Sequence, residues 1–456
     1  MKVNPYHLNV PEKGIDIVEP GGVARRGRIA FDLERDFDFS TEALESYAFS
    51  RWEPLIYDAM VLAAAVEFVD KIVRRPLRGW ARRLDLQIPV DDPERWNSQG
   101  VITALHDAVS FLTGDYWQIS FVRRKNSAPA PSTNYLSLPV KTEAILAFSD
   151  GMDSRAVAGI VGSSLGSKLV RVRVGSKTID RPRRRAQPEP FASVPYSIAI
   201  GGRNKETSAR SRGFKFALIT GLAAYLTEAA EIVIPESGQG AIGPALLTVG
   251  HTYPDYRNHP LFTKRMARFM TALLGKEIKY VFPRIWNTKG ETLKEFISIT
   301  SDNSWVSTKS CWRGAQWSSV NGRLRQCGVC AACMLRRVSV HAAGLVEEPE
   351  TYVCTDMSAK TLQDGVDPAF TKVNEAFISY AIAGALHMDH LADMAKEESK
   401  SLVKRHAALL GPSLGISQSL AEQRLAALLN RHALEWKNYV HTQGEHSFLR
   451  QWTRVL

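Results

Sequence analysis

The sequence predicts an α/β protein: a central parallel sheet, an N-terminal α+β region before it and a helical C-terminal region after it. Three observations predict this. Short apolar strands alternate with helix-length segments from 144 to about 300, the pattern of βαβ crossovers. Before residue 138, strand-like stretches flank two helix-length stretches. After about 365, long segments carry apolar residues at helical spacing. At about 150 residues per domain, a chain of 456 suggests two to three domains. The expected divisions are 1–138, 139–350 and 351–456.

In chain order, residues 1 to about 20 read as irregular. Strands are expected at "GRIAFDLE" (27–34) and "RRLDLQIPV" (82–90), where apolar and charged residues alternate. Between them, 53–75 has the length of a buried helix. A second helix is expected over 93–115, with Gly114 as its stop. "YWQISFVRR" (116–124) alternates like a strand, and the Pro- and Ser-rich "KNSAPAPSTN" (125–134) marks a linker. Then come strand "EAILAF", helix "DSRAVAGIVGSSL", strand "SKLVRVRVG", a long helix over 210–230 and strand "EIVIPE". Ligands of open parallel sheets bind at the carboxyl ends of strands. The loops "SDGMDS" (149–154) and "PESGQG" (235–240) are therefore expected side by side. Further on, helices are expected over 370–399 and 419–443, with "GPSLGIS" (411–417) as the break.

Net charge is +11 and the pI is about 9.4. The excess lies in arginine runs: "RRGR" (25–28), "RRPLRGWARR" (74–83) and "RPRRR" (181–185). It fits either a solvated surface or an acidic partner such as nucleic acid, nucleotide or acidic protein. No aromatic-interleaved recognition module stands beside the runs, which favours the solvated surface over direct nucleic-acid binding. No apolar run reaches membrane-spanning length, and the first residues lack a signal peptide's apolar core. A cytosolic protein is expected.

Four of the five cysteines cluster: Cys311, then Cys327-x-x-Cys330-x-x-Cys333. In a cytosolic chain such clustering indicates metal or redox chemistry more than disulfides. Four thiolates match tetrahedral structural zinc; an iron–sulfur cluster uses similar ligands. His341 is a possible substitute ligand. Cys354 stands apart.

"ILAFSDGMDSRA" (145–156) poses a choice. Small residues let backbone N–H groups approach an anion, and a following helix aims its free N–H groups at the same point. Ser149 and Ser154 offer hydroxyls, Gly151 a tight backbone path, and Asp153 a metal ligand. The other reading is a capped strand-to-helix turn, since Asp and Ser are standard caps.

"AFSDGMDSRAVAG" resembles the pyrophosphate loop of the PP-loop ATP pyrophosphatases, Ser-Gly-Gly-x-Asp-Ser. Ser149, Gly151, Asp153 and Ser154 match; Asp150 stands where the pattern has glycine. With "KSCWRGAQWS" and "RQCGVCAACMLRRVSVHAAG", the chain resembles the 7-cyano-7-deazaguanine synthase family of the queuosine pathway over roughly 140–345. The resemblance implies a Rossmann-like (HUP/PP-loop) sheet, a structural zinc on the four cysteines, and ATP with Mg²⁺ at 149–154. It also implies adenylation of a 7-carboxy-7-deazaguanine-like carboxylate, followed by transfer to ammonia. Ser149, Asp150, Gly151, Met152, Asp153 and Ser154 are the implied ATP contacts, and Glu236 a contact to nucleobase or ribose. Arg212 falls where the family has an Arg-Asn pair, although Gly213 follows it; it is either a phosphate-neutralising residue or a helix cap. The added regions, "RSRGFKFALITGLA" and "VIPESGQGAIGPALL" resemble the defence-associated (Qat-type) branch of anti-phage operons. That branch implies operon-encoded protein partners, and a protein amine as a further acceptor. The opposing reading is a nucleotide- or nucleic-acid-binding scaffold of a defence complex with weak catalysis.

Overall fold

The computed structural model describes residues 13–39, 53–76, 79–128, 141–149, 151–175, 191–200, 206–250, 252–314 and 318–453. The chain begins with β1 (Lys13–Val18), β2 (Ile29–Asp32) and β3 (Phe37–Phe39). β1 corrects the expectation of an irregular start. Ile15 and Ile17 are buried, and the strand is hydrogen-bonded on both sides, to β2 and to a later strand. Helix α1 (Pro54–Ile72) follows, with Pro54 in its first turn, where a fixed φ and a missing N–H cost nothing. It is buried on nearly every face, and its buried Asp58, Glu67 and Asp70 are paired with Arg124, Lys215 and Arg82. Next come β4 (Arg83–Val90), the short α2 (Pro93–Trp96), α3 (Gln99–Thr113) and β5 (Tyr116–Arg123). Gly114 ends α3 at φ 70°, the left-handed cap that glycine adopts without strain.

These strands form a sheet in the order β2-β1-β4-β5, every pair parallel. The sequence suggested strands and helices of an α+β kind here; the pairing is that of a parallel sheet.

The second sheet is built from β6 (Ala144–Phe148), β7 (Leu169–Gly175), β8 (Phe191–Ile198), β9 (Glu231–Val233) and β10 (Tyr280–Val281). Its order is β10-β9-β6-β7-β8-β3. All pairs are parallel except the edge pair β3–β8. In chain order α4 (Met152–Leu165) follows β6, and α5 (Arg212–Thr227) precedes β9 and packs against β6. The strands and helices that the sequence predicts from 144 to 236 are present in that order; β8 and β10 are further strands that it does not predict.

The described residues divide into two compact units. The first covers 1–148, 165–234 and 262–281, and the second 149–164, 235–261 and 282–456. Both large sheets belong to the first. Within it, Arg82 bridges the buried Asp70 and Asp115, and Arg75 pairs with Asp115. Asp70 also accepts the backbone N–H groups of Arg210 and Ser211, which fixes the start of α5.

The second unit is mostly helical. It holds α4, the single-turn α6 (Gly238–Ala241) and α7 (Gly243–Leu246), then α9 (Lys289–Thr300) and α10 (Ala331–Ala342); α8 (Pro260–Leu274) precedes α9. A small hairpin pairs β11 (Ser319–Val320) with β12 (Arg323–Leu324). The C-terminal helices are α11 (Glu375–Asp393), α12 (Lys400–Leu414), α13 (Gln418–Thr442) and α14 (Phe448–Trp452). The break expected over 411–417 is shorter. α12 runs through Pro412 and stops at Gly415, φ 69°; a proline in the last turns of a helix disrupts little of the remaining ladder. No helix among the described residues is long and apolar enough to cross a membrane.

Candidate active site and metal centre

Ser149 follows β6 directly. Its hydroxyl lies 2.8 Å from that of Ser154 and accepts the Gly151 N–H at 3.2 Å. The two serines therefore close a small ring of chain at the start of α4. Its first turn carries Met152, Asp153 and Ser154, all buried. The Met152 side chain points into an apolar cluster with Ala156, Leu293, Phe296 and Trp305. Asp150 lies outside the described residues.

Asp153 is not used as a helix cap. Its Oδ2 accepts the ammonium of Lys289, and both side chains are almost fully buried. Asp153 Oδ1 has no hydrogen-bond partner among the described residues. Lys289 is the first residue of α9. Thr288 caps that helix through a reciprocal box: its hydroxyl accepts the Glu291 N–H at 3.1 Å, and the Glu291 carboxylate accepts the Thr288 N–H at 2.8 Å. The cap fixes the direction in which the lysine leaves the helix.

The loop after β9 reaches the same cluster. Glu236 Oε2 accepts from Asn258 Nδ2 at 2.7 Å. Burial, and then the facing Asp153 carboxylate, push the Glu236 carboxyl up to about 8 against the Lys289 ammonium and Arg257, which lower it. Two facing carboxylates cannot both ionise cheaply. The proton that Glu236 keeps is shared with the Asp153 carboxylate. Gly240 makes the space, since a Cβ there would lie 2.1 Å from Glu236 Oε1. The backbone carbonyl of Lys309 approaches Gly151, so the segment before the first cysteine borders this loop. Backbone N–H groups, two hydroxyls, one ammonium and two carboxylates thus converge. That set suits an anion accompanied by a hard cation.

Of the expected residues, the structure brings Ser149, Gly151, Asp153, Ser154 and Glu236 together. Arg212 begins α5 in the first unit, its guanidinium 5.4 Å from the Phe216 ring. Lys289, Asn258 and Arg257 were not singled out from the sequence. For Lys289 a signal exists: Thr288-x-x-Glu291 is a capping-box pattern, and it places the lysine at a helix start.

The four cysteine sulfurs lie within 4.8 Å of one another, three buried and Cys311 partly so. Cys327 and Cys333 sulfurs are 3.8 Å apart. Zinc–sulfur bonds of about 2.3 Å in a tetrahedron give sulfur–sulfur edges of about 3.8 Å, so the donor set fits zinc. Backbone N–H groups point at the sulfurs: Cys327 N and Arg313 N at Cys311, and Cys330 N at Cys327. Cys330 is the N-cap of α10 and Cys333 lies in its first turn, where the helix dipole favours thiolate. Gly328 turns the chain at φ 82°. Without a cation, burial and the neighbouring sulfurs push the Cys330 and Cys333 thiols well up. His341 lies against the Tyr439 ring and is not among the ligands. Cys354 is buried beside Met357, its thiol pushed up to about 12.

Residues 225–344 match the family model for the queuosine biosynthesis protein QueC. No curated protein matches the chain. The QueC-matching span contains Glu236, Lys289 and all four cysteines; the loop at 149–154 precedes it. The span therefore carries both the four-cysteine set and the two charged groups that act on Asp153.

Proposed function

We propose that this protein uses ATP to activate the carboxylate of a 7-carboxy-7-deazaguanine-like substrate and passes it to an amine. The observation that carries this reading is the buried cluster in which Lys289 and Glu236, from the QueC-matching span, act on Asp153 of the serine-lined loop. A carboxylate is a poor electrophile. Its oxygen attacks the α-phosphorus of ATP, the bond to the β-phosphate oxygen breaks, and pyrophosphate leaves. The amine nitrogen then attacks the acyl carbon, loses a proton and displaces AMP, giving an amide. With ammonia as the amine, a second activation removes the amide oxygen on AMP and leaves a nitrile.

The backbone at Ser149–Ser154 holds the phosphates. Lys289 is held by Asp153 until a phosphate competes for it, and stabilises charge there. Mg²⁺, a hard cation, suits the free oxygen of Asp153; when bound it neutralises phosphate charge. Glu236 meets the nucleobase or ribose. Arg212 is assigned from the resemblance alone, as a neutraliser of phosphate or carboxylate. Zinc on Cys311, Cys327, Cys330 and Cys333 holds the 311–333 segment in shape. The acceptor is ammonia or a protein amine supplied by partners of the same anti-phage operon, in the cytosol.

The test is incubation with ATP and 7-carboxy-7-deazaguanine, with and without the operon partners, followed by mass analysis. Release of AMP together with an amide, a nitrile or a mass increase on a partner supports the proposal. No AMP under any of these conditions, with Asp153→Ala as control, leaves a nucleotide-binding scaffold as the reading.

A further inference from the structure

Helix α13 sends Glu435 to the start of α9 and His432 to Gln239, which also holds that start, and neither lies in the span that matches the family model. The Thr288 hydroxyl, already accepting the Glu291 N–H, donates to Glu435 Oε1 at 2.5 Å. Gln239 links the same points from the other side. Its carbonyl oxygen accepts the Lys289 backbone N–H at 2.7 Å. Its amide nitrogen donates to His432 Nδ1 at 2.9 Å and to Glu435 Oε2 at 3.3 Å. His432 Nε2 donates to the Met388 carbonyl at 3.0 Å, which leaves Nδ1 as the ring's acceptor. One proton assignment satisfies every member of this chain.

The geometry is tight around it. A Cβ on Gly290 would meet Ala342 Cβ at 2.8 Å and Glu435 Oε1 at 3.2 Å. Trp436, next on α13, donates to Asp389 at 3.0 Å and locks α13 to α11. The direction of the Lys289 side chain depends on where α9 begins. That beginning is set by Thr288 and by the Lys289 N–H, and both are held by this network.

We infer that Glu435 and His432 are positioning residues for Lys289: they fix Thr288 and Gln239, and through them the first turn of α9. Neither touches the reacting atoms. The role of Lys289 in the reaction rests on the function proposed above; the placement of its ammonium does not.

The experiment separates the two. Glu435→Ala, Glu435→Gln and the control Leu434→Ala, at an exposed site on the same helix, are treated with acetic anhydride. Acetylation of Lys289 is read by peptide mass spectrometry against the exposed Lys400. Glu435→Ala is expected to raise Lys289 labelling severalfold. Glu435→Gln keeps an acceptor for Thr288 but sets an N–H against Gln239, and falls between. Leu434→Ala matches the parent. In ATP–pyrophosphate exchange, Glu435→Ala is expected to lower kcat about tenfold with KM for ATP within about twofold, the signature of a displaced group rather than lost binding. A folded Glu435→Ala protein with parental Lys289 labelling overturns the inference. If Glu435→Ala does not fold, Glu435→Gln carries the same readouts and the same refuting result. If the parent exchanges no pyrophosphate, the proposed function fails while the labelling still decides the placement.

Discussion

Lys289→Met probes the buried ion pair most directly. Methionine keeps most of the side-chain volume and removes the charge. Lys289 is 8% exposed and Asp153 6%, so water cannot replace the lost ammonium. Asp153 Oδ1 already lacks a partner; the substitution orphans Oδ2 as well, beside Glu236. Breaking a buried pair from one side costs about 3–5 kcal/mol. The loss depends on pH. With the ammonium gone, the Glu236 carboxyl is raised beyond its present value of about 8. Groups raised in the folded state keep their contribution below the unfolded value and lose it as pH rises through the folded one. The Glu236 part of the cost is therefore level from about pH 5 to about pH 7.5 and grows as pH rises beyond about 8. Adding Asp153→Asn removes the second charge and is expected to recover all but about 1–2 kcal/mol. Urea unfolding followed by tryptophan fluorescence at both ends of that pH range reads these numbers. A Lys289→Met cost below about 1 kcal/mol at the alkaline end, or a double variant no more stable than the single, refutes the reasoning.

Other outcomes follow from the same geometry. Gly384→Ala places a Cβ 2.3 Å from the Val329 carbonyl oxygen and 2.9 Å from the Ala331 nitrogen, so the cysteine turn must shift. A stability loss of about 1–3 kcal/mol and faster zinc loss to a chelator are expected; unchanged melting and zinc retention would count against the packing of α11 on that turn. Cys330→Ser is expected to lower bound zinc from one per chain toward zero by elemental analysis; full zinc occupancy would exclude the four-sulfur site. His432 is pushed down to about 4 by burial and Glu435 up to about 7. The stability advantage of the parent over His432→Gln should thus shrink by up to about 3 kcal/mol as pH falls from about 6.5 to about 4. Its advantage over Glu435→Gln should shrink instead as pH rises from about 4.5 to about 7. Parallel pH profiles for the two variants would refute both assignments.

Much of the central fold is legible locally. The strand and helix around "ILAFSDGMDSRA" follow from an apolar run, a string of small residues and helical spacing, all within one window of sequence. Gly114 was readable as a stop because only the left-handed region was needed there. β1 was not readable: "KGIDIV" is short, and its place is earned by neighbours on both sides. The sequence reading has no helix between 399 and 411; α12 fills that interval and runs through Pro412, because the proline falls where the helix is about to end.

The sequence by itself determined the alternating strands and helices, the serine-lined loop and the four-sulfur set, because each rests on neighbours a few residues apart or on a scarce residue type. Tertiary structure alone decided what Asp153 faces. Its partner Lys289 is 136 residues away, and the Thr288 that caps the lysine's helix is held by Glu435 a further 147 residues along. No local pattern encodes such pairs. They exist because burial leaves a charged or polar group no water to turn to, so the fold must supply a partner from wherever in the chain one can be brought.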